Sequence, residues 1–174
     1  YRLTALQAAV LRGQLAAMKV KAPLMERAGV ALDKAVAAAP GVRPLRRNPR
    51  ITRQCGYCFA FLIQPEQWKG VGLDLFRKAL SAEIGTVAYG PYTPLNRSEV
   101  YYPQTKKRHQ LSAAYVKAIT PSRWELPVAN DVVNNRAVIM FWAQAYAITP
   151  KRAHLLTDAI AKVYENQDAL AKKA

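Results

Sequence analysis

Over most of the first forty residues, apolar side chains recur every three or four positions, the period of an amphipathic helix. Thr4 is suited to cap its start. Gln7, three residues on, completes a capping box, and Leu3 just before the cap can staple the entry turn. A first helix is expected from about Ala5 to Lys21, with Leu6, Val10 and Met18 turned inward, until Pro23 ends or kinks it. A second follows, with Leu24, Ala28, Ala31, Leu32, Ala35 and Val36 on one face, and stops at Pro40-Gly41. Two such helices in series suit an arm that packs against another domain or subunit.

Beyond residue 56 the pattern changes. A strand is expected near 57–65, then a helix from Asp74 that buries Leu75, Phe76, Ala79 and Leu80 and ends near Gly85. Thr86–Tyr89 reads as a short strand before the turn-rich Gly90-Pro91-Tyr92-Thr93-Pro94-Leu95-Asn96. Residues 97–125 are polar and irregular, with Tyr101, Tyr102 and Lys106-Lys107-Arg108-His109 among them. A short helix near 128–135 leads to an apolar strand at 137–142. Thr149-Pro150 then offers an N-cap and a first-turn proline for a closing helix to about Asn166, burying Leu156, Ile160 and Val163. The predicted class is α+β, with a helical arm over 1–41 and a small domain over 42–174.

The composition narrows the partners. Hydrophobic content of 51% supports a core, and no run of about 18 uncharged apolar residues exists, so no membrane span is expected and the cytoplasm is the expected location. The net charge is +15, from 26 Lys and Arg against 11 Asp and Glu, which favours anionic partners. Arg43, Arg46, Arg47, Arg50 and Arg53 crowd one loop. No aromatic stands among residues 43–53 to stack on bases, so a solvated loop is the better reading than a nucleic-acid groove.

Cys55 and Cys58 lack the further ligands that zinc requires, and along a strand their sulfurs would point to opposite faces, so they are expected to act as small hydrophobes. His109 and His154 neighbour no serine nucleophile motif, and the lysines stand in surface-like settings.

Several segments together resemble one family. Tyr1-Arg2-Leu3-Thr4-Ala5-Leu6-Gln7-Ala8-Ala9 resembles the "N-Y-R-[LM]-[TS]-x-x-Q-A-A" helix start of the DegT/StrS-type aminotransferases. Pro40-Gly41-Val42-Arg43-Pro44 is similar to "P-G-V-x-P", and Tyr57-Cys58-Phe59-Ala60-Phe61 to "Y-x-Y-V-F". Asp74-Leu75-Phe76 with Ala79-Leu80-Ser81-Ala82-Glu83 resembles "D-x-F-x-x-A-L-x-A-E-G", and Tyr92-Thr93-Pro94-Leu95-Asn96 resembles "Y-P-P-L-H". Leu126-Pro127-Val128-Ala129 and Asp158-Ala159-Ile160-Ala161-Lys162-Val163 resemble the family's "L-P-V-A-E" and terminal "D-x-A-x-A-I-x-K-V". The branch looks closest to the amino-hydroxybenzoate synthases and glutamine:inosose aminotransferases.

The resemblance implies the C-terminal small domain of a fold-type-I transferase using pyridoxal 5'-phosphate. Such an enzyme moves an amino group from Glu or Gln to a keto-sugar or keto-cyclitol. It also implies that the Schiff-base lysine and most cofactor contacts belong to an N-terminal domain absent from this chain. The chain alone is therefore expected to be inactive, with that domain and a second subunit of a homodimer as partners. No catalytic residue is assigned. Arg2 would approach the cofactor phosphate of the neighbouring subunit, while Tyr92 and Asn96 would line the substrate mouth, Asn96 replacing the usual His. Phe141-Trp142-Ala143 stands where the family commonly has "L-P-H". The rival readings are a basic nucleic-acid-binding module and a non-catalytic partner subunit.

Overall fold

The computed structural model describes residues 2–54, 56–98, 108, 112–120, 123–141 and 150–172. Its regular elements are α1 (Ala5–Ala38), β1 (Val42–Pro44), β2 (Cys58–Ile63), α2 (Leu73–Ile84), α3 (Ala113–Ile119), α4 (Pro127–Asp131), β3 (Ala137–Phe141), α5 (His154–Glu165) and α6 (Gln167–Ala171). The capping box forms as expected: the Gln7 amide donates to Thr4 Oγ1 at 3.2 Å, and the Thr4 amide donates to Gln7 Oε1 at 2.9 Å.

The two helices expected in series are one, with Pro23 inside α1. Proline forfeits one helical hydrogen bond and crowds the preceding turn, at a cost of about 3 kcal/mol. Burial of Ala22 just before it and of Met25, Ala28, Leu32, Ala35 and Val36 on the following turns outweighs that. A second correction concerns Leu6, Val10 and Met18. They were expected to face inward, yet they are exposed because nothing among the described residues covers those turns.

β1, β2 and β3 form an antiparallel sheet in that order, with β2 in the middle. The register sets Phe59 opposite Met140 and Phe61 opposite Val138, and all four are buried. Alternate positions of two neighbouring strands thus share one apolar face. The second half of α1 joins α2 and α5 in the core built on these strands. Thr157 Oγ1 on α5 donates to the Ala35 carbonyl of α1 at 2.9 Å. The outcome is mixed helix and sheet, in keeping with the α+β reading.

Trp68 joins distant parts of this core. Its indole Nε1 donates to the Gly41 carbonyl at 2.7 Å, and its ring meets Phe76 and Tyr164 edge-on at 4.9 and 5.1 Å. Gly41 has a φ of 68°, and a Cβ there would lie 2.6 Å from Trp68 Nε1, so only glycine fits. Next along the chain, the Lys69 amide donates to the buried Gln167 Oε1 at 2.8 Å.

Smaller differences have local causes. Of the strand expected at 86–89, only Tyr89 pairs, through a two-bond bridge to Ile139. The helix expected near 128–135 is α4 followed by a π-helical turn at Val132–Arg136. There Asp131 accepts from Asn135 Nδ2 at 2.9 Å and from Arg136 Nε at 2.5 Å, which holds the wide turn closed. The closing helix starts at His154, after a 3-10 turn at Pro150–Arg152, rather than at Pro150. Thr149, Cys55, Tyr101, Tyr102, Lys106, Lys107, His109 and Trp142 lie outside the described residues. No described helix is long and apolar enough to cross a membrane.

Candidate functional site

Segment 88–96 is held against the fold by α2. Ser81 Oγ accepts the Ala88 amide at 2.8 Å while donating to the Arg77 carbonyl at 2.6 Å. Gly90 lies against the Arg77 guanidinium, which is also paired with Asp74, so the chain passes close to α2 there. The bridge to Ile139 then fixes Tyr89 at the free edge of β3.

Three aromatic rings converge there. Tyr89 and Phe141 meet edge-on at 4.9 Å, and Tyr57, just before β2, is tilted against Phe141 at 5.8 Å. Tyr92 adds a fourth side chain, because its hydroxyl lies beside that of Tyr57. The Tyr57 phenol is held above its ordinary range, first by the charge that ionised Tyr92 would set next to it. Desolvation, Cys58 and hydrogen bonding to Tyr92 add to this. Tyr57 and Tyr92 remain largely exposed. The patch therefore offers apolar ring faces with hydroxyls at their rim, a combination suited to a small ring bearing hydroxyl groups.

The turn after Tyr92 is anchored rather than free. Asn96 is 8% exposed, and its Nδ2 donates to the Trp124 carbonyl at 2.7 Å. That bond ties 92–96 to the apolar stretch at 124–129, where the Arg123 guanidinium lies 5.0 Å over the Trp124 ring. Arg2 stands elsewhere. It is exposed ahead of α1, and about 25 Å of helix separates Ala5 from Ala22, the first buried residue. The structure thus brings Tyr92 and Asn96 onto one turn and leaves Arg2 at the far end of the arm. Sequence reasoning missed the convergence of Tyr57, Tyr89 and Phe141. Each ends a strand or a bridge, and their meeting depends on a strand order the sequence did not disclose.

A hollow of about 420 Å³ contains Glu83, Arg152, Asp158 and Lys162. The Lys162 side chain is 63% exposed and its Nζ is paired with Glu83 Oε2 at 2.7 Å, so it is no candidate for covalent chemistry. Every described lysine is exposed, and no group of metal-ligating side chains gathers among the described residues. In the arginine loop, Arg47 pairs with Asp33 and Arg53 lies 3.7 Å from Glu26, both on α1. That part of the loop is pinned to its own helix. Cys58 is unbonded and half-buried, with its thiol pushed up by burial.

No family model matches the chain. Among curated proteins it is 31% identical over 99% of its length to a Micromonospora echinospora protein named "putative L-glutamine:3-amino-2,3-dideoxy-scyllo-inosose aminotransferase". It is 29% identical over 97% of its length to the L-glutamine:2-deoxy-scyllo-inosose aminotransferase of Streptoalloteichus tenebrarius, and 28% over 95% to that of Streptomyces kanamyceticus. The chain spans 41, 39 and 38% of these three relatives, about two fifths of their length.

Proposed function

The chain belongs, over nearly its whole length, to the family of the glutamine:scyllo-inosose aminotransferases, and we propose that it is the C-terminal portion of such an enzyme, moving an amino group from Glu or Gln to a keto-cyclitol or keto-sugar. The observation that carries this reading is the match across 95–99% of the chain to relatives that share that activity in their names. The mixed helices and three-stranded antiparallel sheet are compatible with an α+β portion of an aminotransferase, and the small domain of a fold-type-I transferase is the form this reading gives it.

Such transferases use pyridoxal 5'-phosphate, which needs a lysine amine, a carboxylate for the ring nitrogen and donors for the phosphate. The described residues do not supply its Schiff-base lysine: their lysines are solvent-facing, and Lys162 is already paired. In this reading the cofactor's anchors lie in the part of the enzyme this chain does not span, and a second subunit completes a homodimer.

This chain contributes the substrate rim. Tyr92 and Tyr57 present hydroxyls to the ring hydroxyls of the substrate, over the faces of Tyr89 and Phe141. Asn96 holds that turn in register through Trp124. Arg2, at the far end of the arm, approaches the phosphate of the neighbouring subunit's cofactor, for which a guanidinium fork is suited.

The test is complementation. The 174-residue chain, incubated alone with pyridoxal phosphate, gives no bound-cofactor absorbance and no turnover. Fused behind the N-terminal part of the Streptomyces kanamyceticus relative, it restores glutamine-dependent amination of 2-deoxy-scyllo-inosose. In that fusion Tyr92→Phe raises KM about tenfold by removing one substrate hydrogen bond. Turnover by the isolated chain, or a correctly folded but inactive fusion, overturns the reading.

A further inference from the structure

One apolar seam runs along α1 with alternating spacings of four and three: Leu11, Leu15, Met18, Ala22, Met25, Gly29, Leu32 and Val36. That is the spacing of a helix seam that receives another helix. From Ala22 onward the seam is buried. Before it, Leu11, Leu15 and Met18 are 51, 72 and 39% exposed. Leu3, Val10 and Leu24, also exposed and spaced by heptads, widen the apolar face along one side.

The positions immediately following alternate seam residues carry charge all along the helix. On the buried half they are Glu26 and Asp33, and the loop beside that half brings opposite charge to them, Arg53 and Arg47. On the exposed half the corresponding positions are Arg12 and Lys19, with Lys21 flanking the other side of the seam. No described carboxylate pairs with Arg12, Lys19 or Lys21, and no acidic residue occurs before Glu26.

We propose that the exposed half of α1 is the docking surface for a partner helix whose apolar seam is flanked by carboxylates facing Arg12, Lys19 and Lys21. The buried half of the same helix supplies the template, an apolar seam covered by the core whose flanking charges Glu26 and Asp33 are answered by opposite charge from the neighbouring loop. A second copy of this chain does not fit, because its own exposed seam would set Arg12, Lys19 and Lys21 against one another. The inference deepens the functional reading by naming the surface chemistry of what covers the arm, and it can fail separately from that reading.

The probes are two labelled three-heptad peptides with identical Leu/Ile seams, one flanked by Glu and one by Lys, titrated against the 174-residue chain by fluorescence anisotropy. The Glu-flanked peptide binds about tenfold more tightly at low salt, and the preference shrinks as salt screens it. The double variant Lys19→Glu/Lys21→Glu reverses the preference, and Leu11→Gln/Leu15→Gln abolishes binding of both peptides. All these positions are exposed, so helix content by circular dichroism is unchanged in every variant. Equal binding of the two peptides, no binding of either, or self-association of the chain that competes with the peptides would each overturn the proposal. Those outcomes leave the complementation result untouched, and a failed complementation leaves the peptide preference untouched.

Discussion

Leu15 and Leu32 occupy the same seam of the same helix, yet one is 72% exposed and the other is fully buried. Their sequence neighbourhoods are alike: alanine-rich, evenly spaced, with charges beside the seam. Periodicity therefore reports which face of a helix is apolar, while contacts from elsewhere in the chain decide whether that face is covered. For Leu32 the cover comes from the strands and α5; for Leu15 none is present among the described residues.

The sharpest way to break this comparison is to truncate both leucines. Leu32→Ala should cost about 2–5 kcal/mol in urea or thermal unfolding, whereas Leu15→Ala should stay within about 0.5 kcal/mol. Equal losses would mean that the two halves do not differ. A smaller effect probes the point where the buried half of α1 hands over to the sheet. Gly41→Ala must accept φ of 68° and a methyl 2.6 Å from Trp68 Nε1, costing at least about 1 kcal/mol and loosening Trp68, read as a change in its fluorescence.

The smallest effect lies far from the helix, at Asp131. Hydrogen bonds from Asn135 and then Arg136 hold its carboxyl below the ordinary value. A depressed folded-state value means the anion's contribution is complete above the unfolded value of about 3.9 and is lost as pH falls through the folded one. Asp131→Asn should therefore melt slightly below the parent at pH 7, and the two should converge as pH falls through the depressed folded-state value.

What the sequence disclosed was local. The capping box needs only Thr4 and Gln7, and β2, β3 and α2 carry periods strong enough to stand alone. What it withheld was non-local. Pro23 reads as a helix end until the burial beyond it is known, and the exposure of Leu6 and Val10 depends on what is missing around them. The bond from Asn96 to the Trp124 carbonyl spans residues whose proximity no spacing rule supplies. The aromatic patch was hidden for the same reason: Tyr57, Tyr89 and Phe141 meet only once strand order is fixed.

Trp68 makes two distant stretches of sequence depend on each other. Its ring rests on Tyr164, and the residue beside it is tethered to Gln167, so fraying of α5 or α6 would unseat the indole and, through its bond to the Gly41 carbonyl, the turn that leads into β1.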